Sequence, residues 1–298
     1  MKAVIPVAGI GTRLRPHTYS YPKPLIPVAG KPILAYIIEH LQDAGIEEFV
    51  FVVGYLGDKI IDFVKEKFPN LKAEFVFQNK REGLGHAILA AEKLIQNEPI
   101  IIVLGDTIVD SDINELLNEK TSTLGIKKVD DPRNFGVASL TKENFIAELV
   151  EKPSIPKSNL ALVGVYKILE TKKLIYSIKY LVENNIRTND EFHLTDALNY
   201  MVKQFQVQIK AITINNWFDL GKSDILLETN AILLKKYKSK KNYSEQCINS
   251  IIIPPVYIAA NAKVENSIIG PNVTIGENAD INYCILKDSI IGTFTSLK

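Results

Sequence analysis

The beginning of the chain carries the residue types that bind polyphosphate. An apolar run over residues 3–7 predicts a buried strand, and a turn with Gly9 and Gly11 follows it at once. Glycines let backbone N–H groups approach phosphate oxygens, and the cations Arg13 and Lys23 behind them would balance the negative charge. The segment therefore predicts a phosphate-binding loop at the end of a strand.

Two common phosphate-binding motifs do not fit this loop. A P-loop ends in Gly-Lys-Ser/Thr, whereas Thr12 and Arg13 follow the second glycine here. A dinucleotide-binding loop needs a third small residue at the position of Leu14. An ordinary strand-to-loop turn is the alternative, but the further cation Arg15 and four X-Pro steps make it less favoured. These steps direct residues 15–27 away from helix, and we expect a long, extended segment.

Two acids, Asp106 and Asp219, follow predicted strands in the short motifs VLGD and WFDLG. A lone acid at such a place could cap a turn, but two strand-end acids could converge on one cation. Mg²⁺ suits this pair because it is bound by one or two carboxylates together with substrate phosphates. Asp110 and Asp112 lie nearby, but they precede a helix, where N-terminal capping is the better interpretation.

Strands and helices alternate through the first third of the chain, which predicts an α/β fold. We expect a Rossmann-like, largely parallel sheet with helices on both faces. Ligands of such sheets bind beyond the strand C-termini, where Gly9, Gln78 and Asp106 would lie. The strands are predicted at 3–7, 48–54, 73–78 and 99–106, and the helices at 32–44, 58–68 and 85–95.

The middle of the chain is richer in strands and then becomes helical again. Its strands would extend the main sheet or form a lid beside it. The strands are predicted at 123–126, 136–140, 145–150, 160–166 and 207–214, and the helices at 171–183, 194–204 and 223–237.

After a charged segment at 235–243, isoleucine and valine recur at steps of five or six. The stretch GPNVTIGENADI resembles the hexapeptide repeat of left-handed parallel β-helices. A plain β-meander is the alternative, but the spacing and the asparagines at predicted corners favour the β-helix. Few coils fit before residue 298, so we expect a truncated β-helix or another chain covering its end. The predicted organisation is a large domain over 1–235, a linker over 236–250 and a short C-terminal left-handed parallel β-helix over 251–298.

Composition and charge argue against several classes of function. The chain has 298 residues, 46% of them apolar, and a net charge of +1, which does not support binding to nucleic acid or to a membrane surface. Cys247 and Cys284 have no metal-like spacing, and a reducing compartment is the default expectation. No signal peptide or membrane-length apolar run is visible, so we expect a cytoplasmic protein.

Several motifs resemble, in the same order, those of the sugar-1-phosphate nucleotidylyltransferases. They are AGIGTRLRPHT followed by KPLIPVAGKP, VLGD, EKPSIPKSNLALVGVY, NDEFHLTDAL and WFDLG. The resemblance covers residues 1 to about 235. It is strongest to the pyrimidine-specific branch, the glucose-1-phosphate thymidylyltransferases and UTP–glucose-1-phosphate uridylyltransferases. Ile10 stands where the family often has a small residue, a departure that leaves the phosphate contacts in place.

The resemblance implies Mg²⁺-dependent transfer of a nucleotidyl group from dTTP or UTP to glucose 1-phosphate, with release of pyrophosphate. The sugar phosphate attacks the α-phosphorus directly, so the protein has to align two anions and neutralise their charge. Arg13 and Lys23 are implied as catalytic residues at the triphosphate and the α-phosphate. Asp106 and Asp219 are implied as the ligands of Mg²⁺.

The same resemblance implies where sugar and base bind. Lys152 would hold the sugar phosphate and Glu151 the sugar hydroxyls, although alone both could be an exposed strand-end pair. Gln78, in FQNKREGLGHAI, offers a donor and an acceptor that suit the imide edge of thymine or uracil. These bases differ by one methyl group, so we expect dTTP and UTP both to be used. The other substrate-binding positions implied are Ala8, Gly9, Gly11, Gly83, Gly136 and Val163, besides Asp106 and Asp219.

Three other functions compete with this one. A non-catalytic regulatory subunit is the first, but such a protein would be expected to lack Arg13, Lys23 or a metal acid. An acyltransferase working through the β-helix usually needs a histidine, and none follows His193. A mannose-1-phosphate guanylyltransferase is the third, and Gln78 is the position that we would use to distinguish it from a pyrimidine-specific enzyme. We expect a homo-oligomer, and the sequence leaves the hexose open.

Overall fold

The computed structural model describes residues 1–221, 223–236, 243 and 245–298. Within them an α/β unit is followed by a parallel β-helix. No described helix is both long and apolar enough to cross a membrane.

The α/β unit contains long apolar strands and several two- or three-residue strands in its loops. They are β1 (Lys2–Pro6), β2 (Pro27–Val28), β3 (Lys31–Pro32), β4 (Glu48–Val53), β5 (Lys72–Phe77), β6 (Ile100–Val103), β7 (Thr107–Val109), β8 (Ser122–Lys128), β9 (Gly136–Leu140), β10 (Ile146–Glu151), β11 (Leu160–Ile168), β12 (Ile209–Thr213) and β13 (Trp217–Asp219).

Helices connect these strands, mostly with one apolar face toward the sheet. They are α1 (Ile33–Asp43), α2 (Gly57–Lys67), α3 (Leu84–Ala90), α4 (Glu92–Ile95), α5 (Asn114–Asn118), α6 (Thr171–Glu183), α7 (Leu194–Phe205) and α8 (Ser223–Lys236).

Nine of the described strands form one mixed sheet around β1, which has β4 and β6 as parallel neighbours. β5 extends the parallel half beyond β4. On the other side β11 runs antiparallel to both β6 and β8, while β12 pairs with β8 in parallel. The hairpin of β9 and β10 joins the beginning of β11. The Rossmann-like fold is confirmed, with antiparallel strands added through β11.

Alternation along the central strands supplies a core on each face of the sheet. In β4, Phe49 and Phe51 pack with α1 and α2 on one face, whereas Val50 and Val52 pack with α3, α6 and α7 on the other. Successive side chains of a strand point to opposite faces, so an unbroken apolar run is required where both faces are covered. The prediction of helices on both faces is confirmed.

The structure corrects three local predictions. The proline-rich loop is not extended, since it contains single 3₁₀ turns over Thr12–Leu14, His17–Tyr19 and Lys23–Leu25. Proline suits the start of such turns, where its missing N–H is not needed. The helix predicted over 85–95 is two helices, α3 and α4. The strand predicted over 99–106 ends at Val103, and β7 leaves the main sheet to pair with β13.

The C-terminal segment forms three parallel ladders, as the predicted β-helix requires. Val264 and Ile281 lie in register and are fully buried, and Asn266 and Asn278 take positive φ at corners. The first strand begins at Cys247, inside the predicted linker, whose residues 237–242 and 244 lie outside the described ones. The strands are β14 (Cys247–Ile248), β15 (Ile251–Ile252), β16 (Val256–Ile258), β17 (Lys263–Glu265), β18 (Ile268–Ile269), β19 (Val273–Ile275), β20 (Asp280–Asn282), β21 (Ile285–Leu286), β22 (Ile290–Ile291) and β23 (Ser296–Leu297).

The β-helix docks on the turn between β2 and β3 through the buried side chain of Asn230 on α8. Its Oδ1 accepts from the Ala29 backbone N–H at 2.8 Å and from Thr274 Oγ1 at 2.7 Å, and its Nδ2 donates to the Asn272 carbonyl at 3.1 Å. One amide therefore joins the loop, the last helix and the β-helix.

Candidate active site

A cleft of about 550 Å³ opens beyond the C-terminal ends of β1, β5 and β6. This is the edge at which parallel α/β sheets bind their ligands. Arg81, Leu104 and Glu191 contribute to its walls. Nine of the residues predicted from the sequence also line it, namely Ala8, Gly9, Gly11, Arg13, Lys23, Gln78, Gly83, Asp106 and Asp219.

The glycine loop is held close to the lysine that follows it. Gly11 takes φ 69°, and a Cβ there would lie 3.0 Å from Lys23 Cβ and from Thr18 Cγ2. The Thr18 hydroxyl donates to the Gly11 carbonyl at 2.8 Å. Only glycine fits this backbone at low cost, and the close packing fixes Lys23 beside the loop.

Two carboxylates meet at the floor of the cleft. β7 and β13 pair Thr107 with Asp219, which brings Asp219 next to Asp106, and the Leu220 N–H donates to the Asp106 carbonyl at 3.0 Å. Lys23 Nζ lies 2.5 Å from Asp106 Oδ2. Burial and then the charge of Asp106 raise the pKa of Asp219, while Lys23 and Arg13 act in the opposite direction.

These two acids fit a divalent cation whose other ligands come from a substrate. No group of three or more His, Cys, Asp or Glu among the described residues could hold a metal on its own. Mg²⁺ is commonly bound by one or two carboxylates with substrate phosphates and water. A cation here would also offset the burial and the repulsion by Asp106 that together raise the pKa of Asp219.

The remaining four predicted positions form a second group beside the cleft. Gly136 faces Glu151 across the β9–β10 ladder. Glu151 Oε2 accepts from Thr195 Oγ1 at 2.6 Å, and its Oε1 lies 3.3 Å from Lys152 Nζ. The Val163 side chain is buried in the core, so only its backbone could reach a ligand.

Tyr166 lies within the electrostatic reach of an acid from each group. Tyr166 is buried, and burial first, then the charges of Glu151 and Asp106, raise the pKa of its hydroxyl. Glu191, on the cleft wall, has Oε2 at 3.9 Å from Nε2 of His193, whose Nδ1 is 3.4 Å from Glu151 Oε1. Glu151 is therefore linked to the wall of the cleft through His193 and Glu191.

Sequence reasoning missed several residues of this region. Arg81 and Glu191 line the cleft, and His193 and Thr195 contact Glu151. Burial raises the pKa of Asp196 in the same neighbourhood. The signal was present, since the motifs FQNKREGLGHAI and NDEFHLTDAL contain them, but polar residues that surround a helix start are indistinguishable from caps without the fold.

The fold and the cleft are typical of an α/β protein that handles a nucleoside polyphosphate: a glycine loop, two cations and a carboxylate pair lie at one sheet edge. The family model described as nucleotidyl transferase matches residues 2–236, and the chain belongs to that family. A second model, described as GlmU-like C-terminal hexapeptide, matches residues 243–292.

Individual relatives agree with this membership. The bifunctional protein GlmU of Methanocaldococcus jannaschii is 40% identical over 237 residues, which cover 79% of this chain and 55% of that protein. This chain thus matches about half the length of that relative. The glucose-1-phosphate thymidylyltransferase of Streptomyces griseus is 31% identical over 306 residues, which cover 100% of this chain and 82% of that protein. The crystal structure of a UDP-glucose pyrophosphorylase complexed with UDP-glucose has a TM-score of 0.67 at 27% identity. The match covers 79% of this chain and 98% of that one.

Proposed function

We propose that the protein transfers a uridylyl or thymidylyl group from UTP or dTTP to glucose 1-phosphate, in an Mg²⁺-dependent reaction that releases pyrophosphate. The observation that carries the proposal is the single cleft lined by the glycine loop, Arg13, Lys23 and the acid pair Asp106 and Asp219. Charge neutralisation and alignment are the requirements of this reaction, and these residues supply both.

In this proposal the loop after β1 binds the triphosphate through backbone N–H groups, with Arg13 beside the leaving pyrophosphate. Asp106 and Asp219 hold Mg²⁺, which supplies positive charge at the transferring phosphate. If Asp106 held the cation, its carboxylate would no longer be paired with Lys23 alone. The ammonium of Lys23, now 2.5 Å from Asp106, is then available to the α-phosphate.

The acceptor binds beside Glu151, the last residue of β10, and Lys152, which follows it. Glu151 accepts hydrogen bonds from sugar hydroxyls, and Lys152 binds the phosphate of the sugar. The names of two relatives support this choice of substrate, since one is a glucose-1-phosphate thymidylyltransferase and one is a UDP-glucose pyrophosphorylase. The residue roles follow from the motif resemblance and from this placement.

The C-terminal β-helix has a structural role in this proposal. A named relative is bifunctional, but this chain has no histidine after His193, which disfavours acyl transfer by the β-helix.

The homo-oligomer stays a prediction. In-register isoleucines at 251, 268 and 285 lie on one outer face, and Ile251 and Ile285 are 60% and 79% exposed. Light scattering of the full chain tests it.

A nucleotide-by-sugar matrix of pyrophosphate release tests the activity. UTP, dTTP, CTP, GTP and ATP are each paired with glucose, N-acetylglucosamine and mannose 1-phosphates, with and without Mg²⁺. We expect UTP and dTTP with glucose 1-phosphate to be fastest and activity to require the cation. Preference for GTP with mannose 1-phosphate would move the guanylyltransferase alternative to the front. No turnover with any pair would favour the non-catalytic subunit.

A further inference from the structure

The side-chain amide of Gln78 is held in one orientation. Its Nε2 donates to the Gly83 carbonyl at 3.0 Å and lies 3.2 Å from Nδ1 of His86. A carbonyl oxygen can only accept, so the amide nitrogen has to be the atom on this side. The Oε1 atom accepts no hydrogen bond from the described residues and is not sealed from solvent. Since Gln78 lines the cleft, an acceptor faces it.

The neighbours of His86 set its tautomer. Nδ1 has to accept from the Gln78 amide, so the ring proton of the neutral imidazole resides on Nε2. Nε2 lies 3.6 Å from Glu82 Oε2, and Arg187 Nη2 donates to the other oxygen of Glu82 at 3.0 Å. The hydrogen bond from Arg187 lowers the pKa of Glu82, which is therefore a carboxylate at neutral pH. Its negative charge favours the proton on Nε2.

We propose that His86 is a positioning residue for base selection: it fixes the Gln78 amide so that uracil and thymine are accepted and cytosine is rejected. The N3–H of a uracil or thymine imide donates to Oε1 of Gln78. Cytosine presents an acceptor at N3, which would meet the same oxygen without a proton between them. This inference rests on the proposed function, because it assumes that Gln78 reads the base.

The physical basis is a difference between two amide orientations. A flipped Gln78 would turn Oε1 toward the Gly83 carbonyl and the Nδ1 lone pair, and it would present an N–H₂ donor to the base. Two acceptors, on Gly83 and His86, oppose this flip. If one of these two acceptors is removed, the other still favours the observed orientation of the Gln78 amide. Selectivity for uracil over cytosine should therefore weaken without disappearing.

The test compares His86→Leu with His86→Asn in the full chain. Leucine has no acceptor, whereas the Oδ1 of asparagine occupies nearly the position of Nδ1 and can accept. We expect the ratio of kcat/KM for UTP to that for CTP to fall about tenfold in His86→Leu and to stay within about twofold of wild type in His86→Asn. The KM for glucose 1-phosphate should not change, since the sugar-side residues are untouched.

Glu82→Gln supplies a second variant. It removes the charge that favours the Nε2 proton and keeps the shape, so the ratio should fall in the same direction by a smaller factor. Calorimetric dissociation constants for UTP and CTP give the same ratio for any variant that binds without turnover. Melting temperatures confirm folding.

An unchanged ratio in folded His86→Leu, or an equal loss in His86→Asn, would overturn the inference. A wild-type protein that prefers GTP, or that releases no pyrophosphate, contradicts the proposed function itself and the inference with it. The two failures are therefore separated by the wild-type measurement alone.

Discussion

The buried acid Asp219 illustrates how a residue of the cleft can oppose stability. Burial and the charge of Asp106 raise its pKa, so its ionised form is unfavourable in the folded protein. We predict that Asp219→Asn keeps the shape, raises the melting temperature by about 2 °C and lowers Mg²⁺-dependent turnover at least ~100-fold. Thermal melts and pyrophosphate release on one preparation check it. A lower melting temperature with normal turnover would contradict both parts.

The same residue predicts a dependence of stability on pH. An acid whose pKa is raised on folding binds its proton more tightly in the folded state. Its contribution to the free energy of unfolding is therefore fully present below the ordinary aspartate pKa and is lost as pH rises through the raised value. Denaturant melts of wild type and Asp219→Asn should diverge over this interval, with the wild type losing stability relative to the variant. If the stabilities of the two proteins changed in parallel with pH, this contribution of Asp219 would be excluded.

Two cations of the glycine loop make a matched pair of variants. Lys23 lines the cleft and pairs with Asp106, whereas Arg15 does not line it and lies over the Tyr19 ring at 4.8 Å. We expect Lys23→Ala to lower turnover ~100-fold or more while costing about 1 kcal/mol or less of stability, because Asp106 stays partly hydrated. Arg15→Ala should retain most activity. Equal losses in the two variants would show a general charge effect.

At the scale of elements, the loop before α3 is clamped to the segment before α7. The Phe192 N–H donates to the Glu82 carbonyl at 2.8 Å, and the Gly85 N–H donates to the Phe192 carbonyl at 2.7 Å. Gly83 takes φ 104°, and a Cβ there would lie 2.6 Å from the Phe192 oxygen. The loop that contains Gly83 is thus joined to the segment whose His193 and Thr195 contact Glu151.

We predict that Gly83→Ala lowers the melting temperature by several degrees and raises the KM for the nucleotide, because the added methyl group opens this clamp. Gly9→Ala is the control, since a Cβ at Gly9 meets nothing within 4 Å. Its melting temperature should match wild type even though its methyl group enters the glycine loop. Differential scanning fluorimetry and initial rates separate the two effects. A Gly83→Ala protein as stable as Gly9→Ala would refute the clamp.

At the scale of the whole molecule, Asn230 connects the α/β unit to the β-helix. Removing its amide leaves the Ala29 N–H and the Asn272 carbonyl, both partly buried, and the buried Thr274 hydroxyl without this partner. We expect Asn230→Ala to cost about 2–3 kcal/mol and Thr274→Val about 1 kcal/mol. Denaturant unfolding of the full chain measures both. If both variants lost a similar, small amount of unfolding free energy, water would be replacing the Asn230 amide.

The sequence by itself determined the fold class, the β-helix and most of the cleft. Apolar runs and their periods report which faces are buried, and the residues of the glycine loop lie close together in the sequence, so their proximity needs no fold. It also predicted Asp106 and Asp219 as a pair, because both acids follow predicted strands, although the pairing of β7 with β13 outside the main sheet is what brings them together.

Only the tertiary structure decided the contacts between distant segments. The antiparallel course of β11, the pairing of β7 with β13, and the network from Gln78 through His86 to Glu82 and Arg187 depend on packing across the chain. Local patterns report burial and turns, but they do not report which polar side chain faces which partner. The orientation of the Gln78 amide, and with it the base that the cleft would accept, is therefore a property of the folded molecule.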